Sequence, residues 1–122
     1  MRKKERNIYQ EEILERPVRK AVQFPAQLIS GDERYNGFVI NMSVRGVGMF
    51  VNTSFPENTI NCTRGSVLGL ELVTPTGELL TLQCEVRWIR IQESPSEGLT
   101  TSMGMEVIAP PPGFMQLFNN LL

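Results

Sequence analysis

The sequence predicts an all-β domain of six antiparallel strands, arranged as a barrel or a sandwich. Apolar and polar residues alternate in short stretches between residues 22 and 108, which is the pattern of half-buried strands. Eight prolines and ten glycines are spread along the chain and favour many short elements. No long helical pattern separates the strands, so neighbouring strands are expected to pair locally and antiparallel.

The first strands are separated by turn-forming residues. Val22 to Leu28 alternates regularly, and Pro25 places this strand at a sheet edge or beside a bulge. Ser30 to Glu33 has the composition of a turn, and Tyr35 to Ile40 forms the second strand. The third strand, Val47 to Val51, follows a polar turn, so these elements are expected to form a continuous antiparallel sheet.

The last three strands follow a long polar loop, Asn52 to Gly65. Ser66 to Val73 is the fourth strand and continues through a Pro-Gly hairpin turn into Leu80 to Trp88, the longest regular alternation in the chain. The alternation of apolar and polar residues changes phase directly after Trp88, which predicts a bulge or a strand end. Gln92 to Leu99 is then expected to be a loop before the last strand, Thr101 to Ile108.

Short helical segments are expected at both ends of the barrel-like region. Residues 5–15 carry an approximate helical stripe, and the apolar residues after Gly113 suggest a short terminal helix. We therefore divide the chain into a basic N-terminal extension at 1–14, a β-domain at 15–110 and a C-terminal helix at 111–122. A large exposed apolar patch would be unusual, so the terminal helix is expected to pack on the β-domain or on a second copy of the chain.

Charge is distributed unevenly although the net charge is only −1. Residues 1–20 hold seven basic and four acidic side chains, whereas residues 21–122 hold five basic and nine acidic ones. Neutral to acidic strands argue against an oligonucleotide-binding barrel, so no DNA or RNA partner is expected. The basic start is followed by no apolar stretch of a secretory signal, and no run approaches the roughly 18 apolar residues of a membrane span. A cytoplasmic location without membrane insertion is therefore expected.

Catalytic chemistry has little support in this composition. The chain has no histidine, which removes the commonest general base and a leading zinc ligand. Cys62 and Cys84 have no motif spacing and are interpreted as structural thiols, and Trp88 and the methionines are assigned to the core. No paired carboxylates, phosphate-cradling glycine loop or metal cluster stands out, so we expect neither an enzyme nor a resident cofactor or metal.

Two polar features stand out against the strand pattern. Asn41 and Ser43 lie two residues apart, so their side chains leave an extended segment on the same side, and Gly46 allows a tight turn beside them. A basic cluster of Arg16, Arg19 and Lys20 directly precedes the first strand. A polar shelf beside cationic side chains suits a flat, negatively charged ligand that forms hydrogen bonds.

With these two features in this order, the chain resembles the PilZ family of small bacterial β-barrels that bind cyclic di-GMP. That family carries Arg-x-x-x-Arg before the first strand and Asp/Asn-x-Ser-x-x-Gly after the second, and residues 41–46 match the second motif at every defined position. The first motif departs from the pattern because only two residues separate Arg16 from Arg19. Arg19 takes the second arginine position if Glu15 takes the first, whereas Lys20 takes it if Arg16 is the first.

The resemblance implies a six-stranded, Greek-key-like barrel that senses a bacterial second messenger, with roles in motility or biofilm regulation. Arg16, Arg19 and Lys20 would meet phosphates and guanine edges through charge-assisted bonds. Asn41 would exchange hydrogen bonds with a guanine edge, Ser43 would add one more, and Gly46 would keep the turn tight. The basic lead-in would fold onto the barrel when the ligand arrives, and the change would pass to an unidentified protein target.

An alternative interpretation follows from the same arginine spacing. Lysine offers a point charge where arginine grips guanine with two parallel hydrogen bonds, and a glutamate at the first position would repel phosphate. The chain could then be a PilZ-like adaptor that has lost nucleotide binding and acts through protein contacts alone. A homodimer remains open under both interpretations.

Overall fold

The computed structural model describes residues 18–53, 60–95 and 98–121, which form six β-strands and one helix. The elements are β1 (Lys20–Ser30), β2 (Glu33–Met42), β3 (Gly46–Thr53), β4 (Val67–Val73), β5 (Leu79–Ser94), β6 (Gly98–Ile108) and α1 (Pro112–Asn119). The all-β prediction and the short C-terminal helix are confirmed. The predicted N-terminal helical stripe and Arg16 lie outside the described residues.

The strands close into a barrel in the order β1-β2-β3-β6-β5-β4, and every described pairing is antiparallel. β1 and β4 pair over Ala26 to Ile29 and close the barrel, which excludes the sandwich. Pro25 stands one residue before this pairing begins and next to the register shift between Ala21 and Phe24. Its missing N–H therefore costs the β1–β4 ladder no hydrogen bond.

The hairpin between β5 and β6 is longer than the sequence suggests. The predicted loop over Gln92 to Leu99 is wrong at both ends, because β5 continues to Ser94 and β6 begins at Gly98. Both side chains at Gln92 and Glu93 are exposed, so this part of the strand has no apolar face from which an alternation could be read. The strand is extended there by backbone pairing with β6 and not by burial of side chains.

The inward side chains of all six strands form one apolar core. Its fully buried members include Leu28, Met49, Leu70 and Met103, which confirms these methionines as core residues. Burial raises the pKa of the Cys84 thiol to about 12, so this thiol stays protonated and serves packing. Cys62 is a free, half-buried thiol.

Trp88 does not belong to this core, contrary to the sequence prediction. The register of β5 against β6 shifts between Val86 and Trp88, as the break in alternation predicts. The extra residue turns the indole outward, and 49% of Trp88 is exposed.

The helix α1 packs on the barrel through one face. Phe114 is fully buried and Phe118 nearly so, and both belong to the same cluster as the strand residues. Pro111 precedes the helix and Pro112 starts it, where a missing N–H is tolerated. The apolar C-terminal residues therefore complete the core of their own chain. In the part of the chain that the structure describes, no helix has the length and apolarity required to cross a membrane.

Candidate ligand-binding site

The turn between β2 and β3 is held together by Ser43. Its amide donates to the Gly46 carbonyl at 2.9 Å, and its hydroxyl oxygen accepts hydrogen bonds from the amides of Arg45 at 3.2 Å and Gly46 at 3.0 Å. Ser43 is only 1% exposed. The hydroxyl is thus used inside the turn as the acceptor of two backbone amides, rather than left free for a ligand as the sequence predicted.

We expect Ser43→Ala to lower the free energy of unfolding by about 1–3 kcal/mol, because the buried amide of Gly46 and the part-buried amide of Arg45 lose their acceptor. Urea denaturation followed by circular dichroism measures this change. Ser102→Ala on β6, a half-buried strand position, is the matched control and should change stability less. Equal stability of Ser43→Ala and the native chain would contradict the role of Ser43 in the turn.

Glycines on the outer face of β3 and β6 make room for side chains of their neighbours. Gly48 and Gly104 are cross-strand partners. A Cβ on Gly48 would lie 2.7 Å from the Asn41 amide nitrogen, and a Cβ on Gly104 would overlap the Trp88 indole. These glycines therefore form a floor on which the Asn41 carboxamide and the Trp88 ring lie. Gly46 meets another constraint, because a Cβ there would collide with the Met105 carbonyl.

The basic lead-in reaches this floor through Arg19. Its guanidinium Nη1 donates to the Asn41 side-chain oxygen at 2.6 Å, although the two residues are 22 positions apart. Of the predicted basic cluster, Arg19 thus contacts the polar turn, while Arg16 lies outside the described residues. The structure places Arg19, rather than Lys20, beside the polar turn.

Lys20 extends to the C-terminal helix instead. Its ammonium donates to the backbone carbonyls of Phe118 at 3.2 Å and Leu121 at 3.0 Å. The same group stands 4.3 Å from the centre of the Phe118 ring. Adjacent residues of the lead-in therefore contact two different parts of the molecule.

Three further residues of this site, Arg45, Arg87 and Trp88, escaped the sequence prediction of the binding residues. They line a surface cavity of about 160 Å³ together with Arg19, Ser43, Gly46, Gly104 and neighbouring β6 residues. The indole reaches this cavity because Trp88 points outward from the barrel. The break in alternation after Trp88 was the feature of the sequence that could have predicted this direction. Arginines and an exposed indole thus share one concave surface.

Arg87 is held in place by acidic neighbours. Its Nη2 donates to both carboxylate oxygens of Glu106 at 2.9 Å, and Glu85 lies 3.6 Å from its Nη1. The hydrogen bond and charge of Glu106, with the charge of Glu85, raise the pKa of Arg87 above its usual value. The Arg87 guanidinium is therefore always charged, but it is already paired in this state.

A larger groove of about 510 Å³ lies on a different part of the barrel wall. Its lining is mostly apolar, with Pro25, Phe38, Val73 and Leu79, and its one charged lining residue is Glu71. An anionic ligand gains nothing from such a surface. The smaller cavity, with three arginines, is the better candidate for binding the negatively charged ligand that the sequence motifs predict.

A small closed barrel with arginines around a polar turn defines a class of ligand-binding β-domain, and comparison with known proteins identifies the family. The family model of the PilZ domain matches residues 13–121, and the chain belongs to this family. No curated protein matches the chain significantly.

Two solved structures share the fold. The PilZ domain of YcgR from Escherichia coli, solved with cyclic di-GMP, is 14% identical with a TM-score of 0.66, and the match covers 87% of each chain. The Bacillus subtilis inhibitor of motility, MotI/DgrA, is 22% identical with a TM-score of 0.62, over 87% of this chain. The match covers 48% of that protein, so the present chain corresponds to about half of it.

Proposed function

We propose that this protein is a receptor for cyclic di-GMP that acts by binding, without catalysis, and signals to a protein partner. The observation that carries the proposal is the 2.6 Å contact between Arg19 and Asn41. It links one arginine of the basic cluster to the first residue of the polar turn, which supports a site shared by the two parts of the PilZ signature. The structure of the YcgR domain with cyclic di-GMP supports the choice of ligand.

The chemistry of the site matches that of the ligand. Cyclic di-GMP has two phosphates for Arg19 and Arg45, and two guanines whose edges both donate and accept hydrogen bonds. The Asn41 carboxamide can satisfy such an edge once Arg19 releases it for a phosphate. The exposed ring of Trp88 offers a stacking surface for a guanine. Ser43 and Gly46 would serve by keeping the turn rigid.

Isothermal titration of the purified chain with cyclic di-GMP tests the proposal. We expect saturable heat at micromolar ligand and no comparable heat with cyclic di-AMP, which has the same charge but different base edges. Equal binding of both nucleotides would mean that charge alone is recognised. Absence of heat and of any melting shift at high micromolar cyclic di-GMP would reject the receptor function.

One observation favours the adaptor as a second candidate. Arg19 donates to the Asn41 side-chain oxygen and Arg87 donates to Glu106, so both arginines already have protein partners. An adaptor of this kind would bind its protein target whether or not cyclic di-GMP is present. The name of the Bacillus subtilis relative makes motility a reasonable place to seek that target in either case.

We expect Trp88→Ala to weaken cyclic di-GMP binding by about fivefold or more, because one stacked base contributes roughly 1–3 kcal/mol. Trp88 is the only tryptophan of the chain, so its fluorescence in the native protein should change as ligand is added. Trp88→Phe keeps an aromatic face and is expected to recover much of the affinity. Native affinity in Trp88→Ala would remove the indole from the site.

A further inference from the structure

We infer that Lys20 couples occupancy of the cyclic di-GMP site to the stability of α1, so that the helix reports ligand binding. The inference rests on the proposed function and concerns its regulation. Two neighbouring side chains extend in different directions. Arg19 donates to the Asn41 carboxamide, whereas Lys20 donates to the carbonyls of Phe118 and Leu121.

Lys20 adds a cation to the C-terminal end of α1, where the amides of Asn120 and Leu121 already donate to the last carbonyls. α1 has eight residues, no side-chain cap at its N-terminus, no acidic residue in its first turn and no basic residue in its last turn. Cations near a helix C-terminus stabilise it through the helix dipole and the free carbonyls. Lys20 supplies that cation from the start of β1, and its ammonium also contacts the Phe118 ring.

The contacts that hold Lys20 are weak compared with those a phosphate can offer. Its partners are two neutral carbonyls and a ring, and no carboxylate in the described part of the chain forms a salt bridge with it. A dinucleotide bound by Arg19 brings two negative charges beside the next residue of the chain. A phosphate attracts the ammonium through its full negative charge as well as through hydrogen bonds, whereas a carbonyl offers only a neutral acceptor. Ligand binding therefore draws Lys20 away from α1 and removes the cation from the helix end, where only backbone amides then meet the last carbonyls.

This change in the contacts of Lys20 would allow the receptor to signal ligand binding to a protein partner. Phe114 and Phe118 of α1 are buried against the barrel core, and loosening the helix would make this apolar face available. A ligand shifts a conformational equilibrium only through contacts that differ between the two states, and in this proposal Lys20 supplies that difference. The device requires a long, charged side chain on the residue next to Arg19.

Hydrogen exchange of α1 amides, measured by mass spectrometry, tests the coupling on the full chain. We expect cyclic di-GMP to speed exchange of residues 112–121 in the native protein by roughly two- to fivefold, the effect of losing one helix-end cation. Lys20→Met keeps the aliphatic stem but removes the charge, so exchange should already be fast without ligand and respond little to it. Lys20→Arg keeps the charge and should preserve both the slow exchange and the response.

Titration calorimetry on the same samples separates the two hypotheses. Binding heat without a change in α1 exchange overturns the coupling and leaves the receptor function intact. Unchanged exchange in ligand-free Lys20→Met also overturns it, because the cap would then contribute nothing. Absence of binding heat overturns the receptor function and the coupling with it. Thermal unfolding of each variant confirms that the barrel is folded in the comparison.

Discussion

Replacing Arg19 with alanine is expected to abolish detectable binding of cyclic di-GMP. Arg19 is the one described cation that contacts the polar turn directly, through Asn41. Each hydrogen bond from a charged group to the ligand is worth about 1.5–3 kcal/mol, so losing a bidentate contact lowers affinity by roughly a hundredfold or more. The fold should persist, because the side chain is exposed and substitutions of this kind usually change stability by less than about 0.5 kcal/mol. Titration calorimetry and thermal unfolding measure the two effects.

Arg34→Ala provides the matched control for this experiment. Arg34 is also an exposed arginine in a polar contact, here with Glu71 at 2.7 Å, but it lies at the opposite end of β1 and β2. It removes the same charge from the protein and should leave affinity close to native. Native affinity in Arg19→Ala would show that the ligand contacts lie elsewhere, and equal losses in both variants would indicate only a general charge effect.

Most of the fold follows from local pattern in the sequence. The pleat places alternate side chains on opposite faces, so a stretch such as residues 22–28 shows its strand character without any knowledge of its partners. Closure of the barrel could not be read in this way, because the pairing of Ala26 to Ile29 with β4 joins residues about 40 positions apart. The outer half of the β5–β6 hairpin was missed because both of its faces meet solvent.

The part of the site formed by the turn between β2 and β3 could be predicted, because a tight turn requires particular residue types. Asn41, Ser43 and Gly46 stand out in sequence, and the structure places them at one turn, although Ser43 faces inward. Trp88 was missed because its direction depends on a register shift, which moves a large apolar residue from the core to the surface. The choice between Arg19 and Lys20 was also beyond the sequence, since Lys20 is directed by carbonyls that lie about 100 residues away.

We expect Phe114→Ala to destabilise the protein more than any exposed substitution considered above. Phe114 is fully buried, although it belongs to the last short element of the chain rather than to the barrel strands. Truncation of a buried phenylalanine costs about 3–5 kcal/mol through lost burial and the remaining cavity. For a domain of this size, this loss lowers the melting temperature by on the order of 15 °C. Thermal and urea unfolding followed by circular dichroism measure it.

Met115→Ala is the control, because Met115 is the next residue of the same helix and is 37% exposed. A similar substitution there should cost about 1 kcal/mol or less. A large difference between the two variants makes α1 part of the folding unit, so a signal that loosens the helix must act against core packing as well as against the Lys20 cap. If Phe114→Ala is nearly as stable as Met115→Ala, the barrel is complete without α1, and a single lysine contact would be sufficient to hold or release the helix.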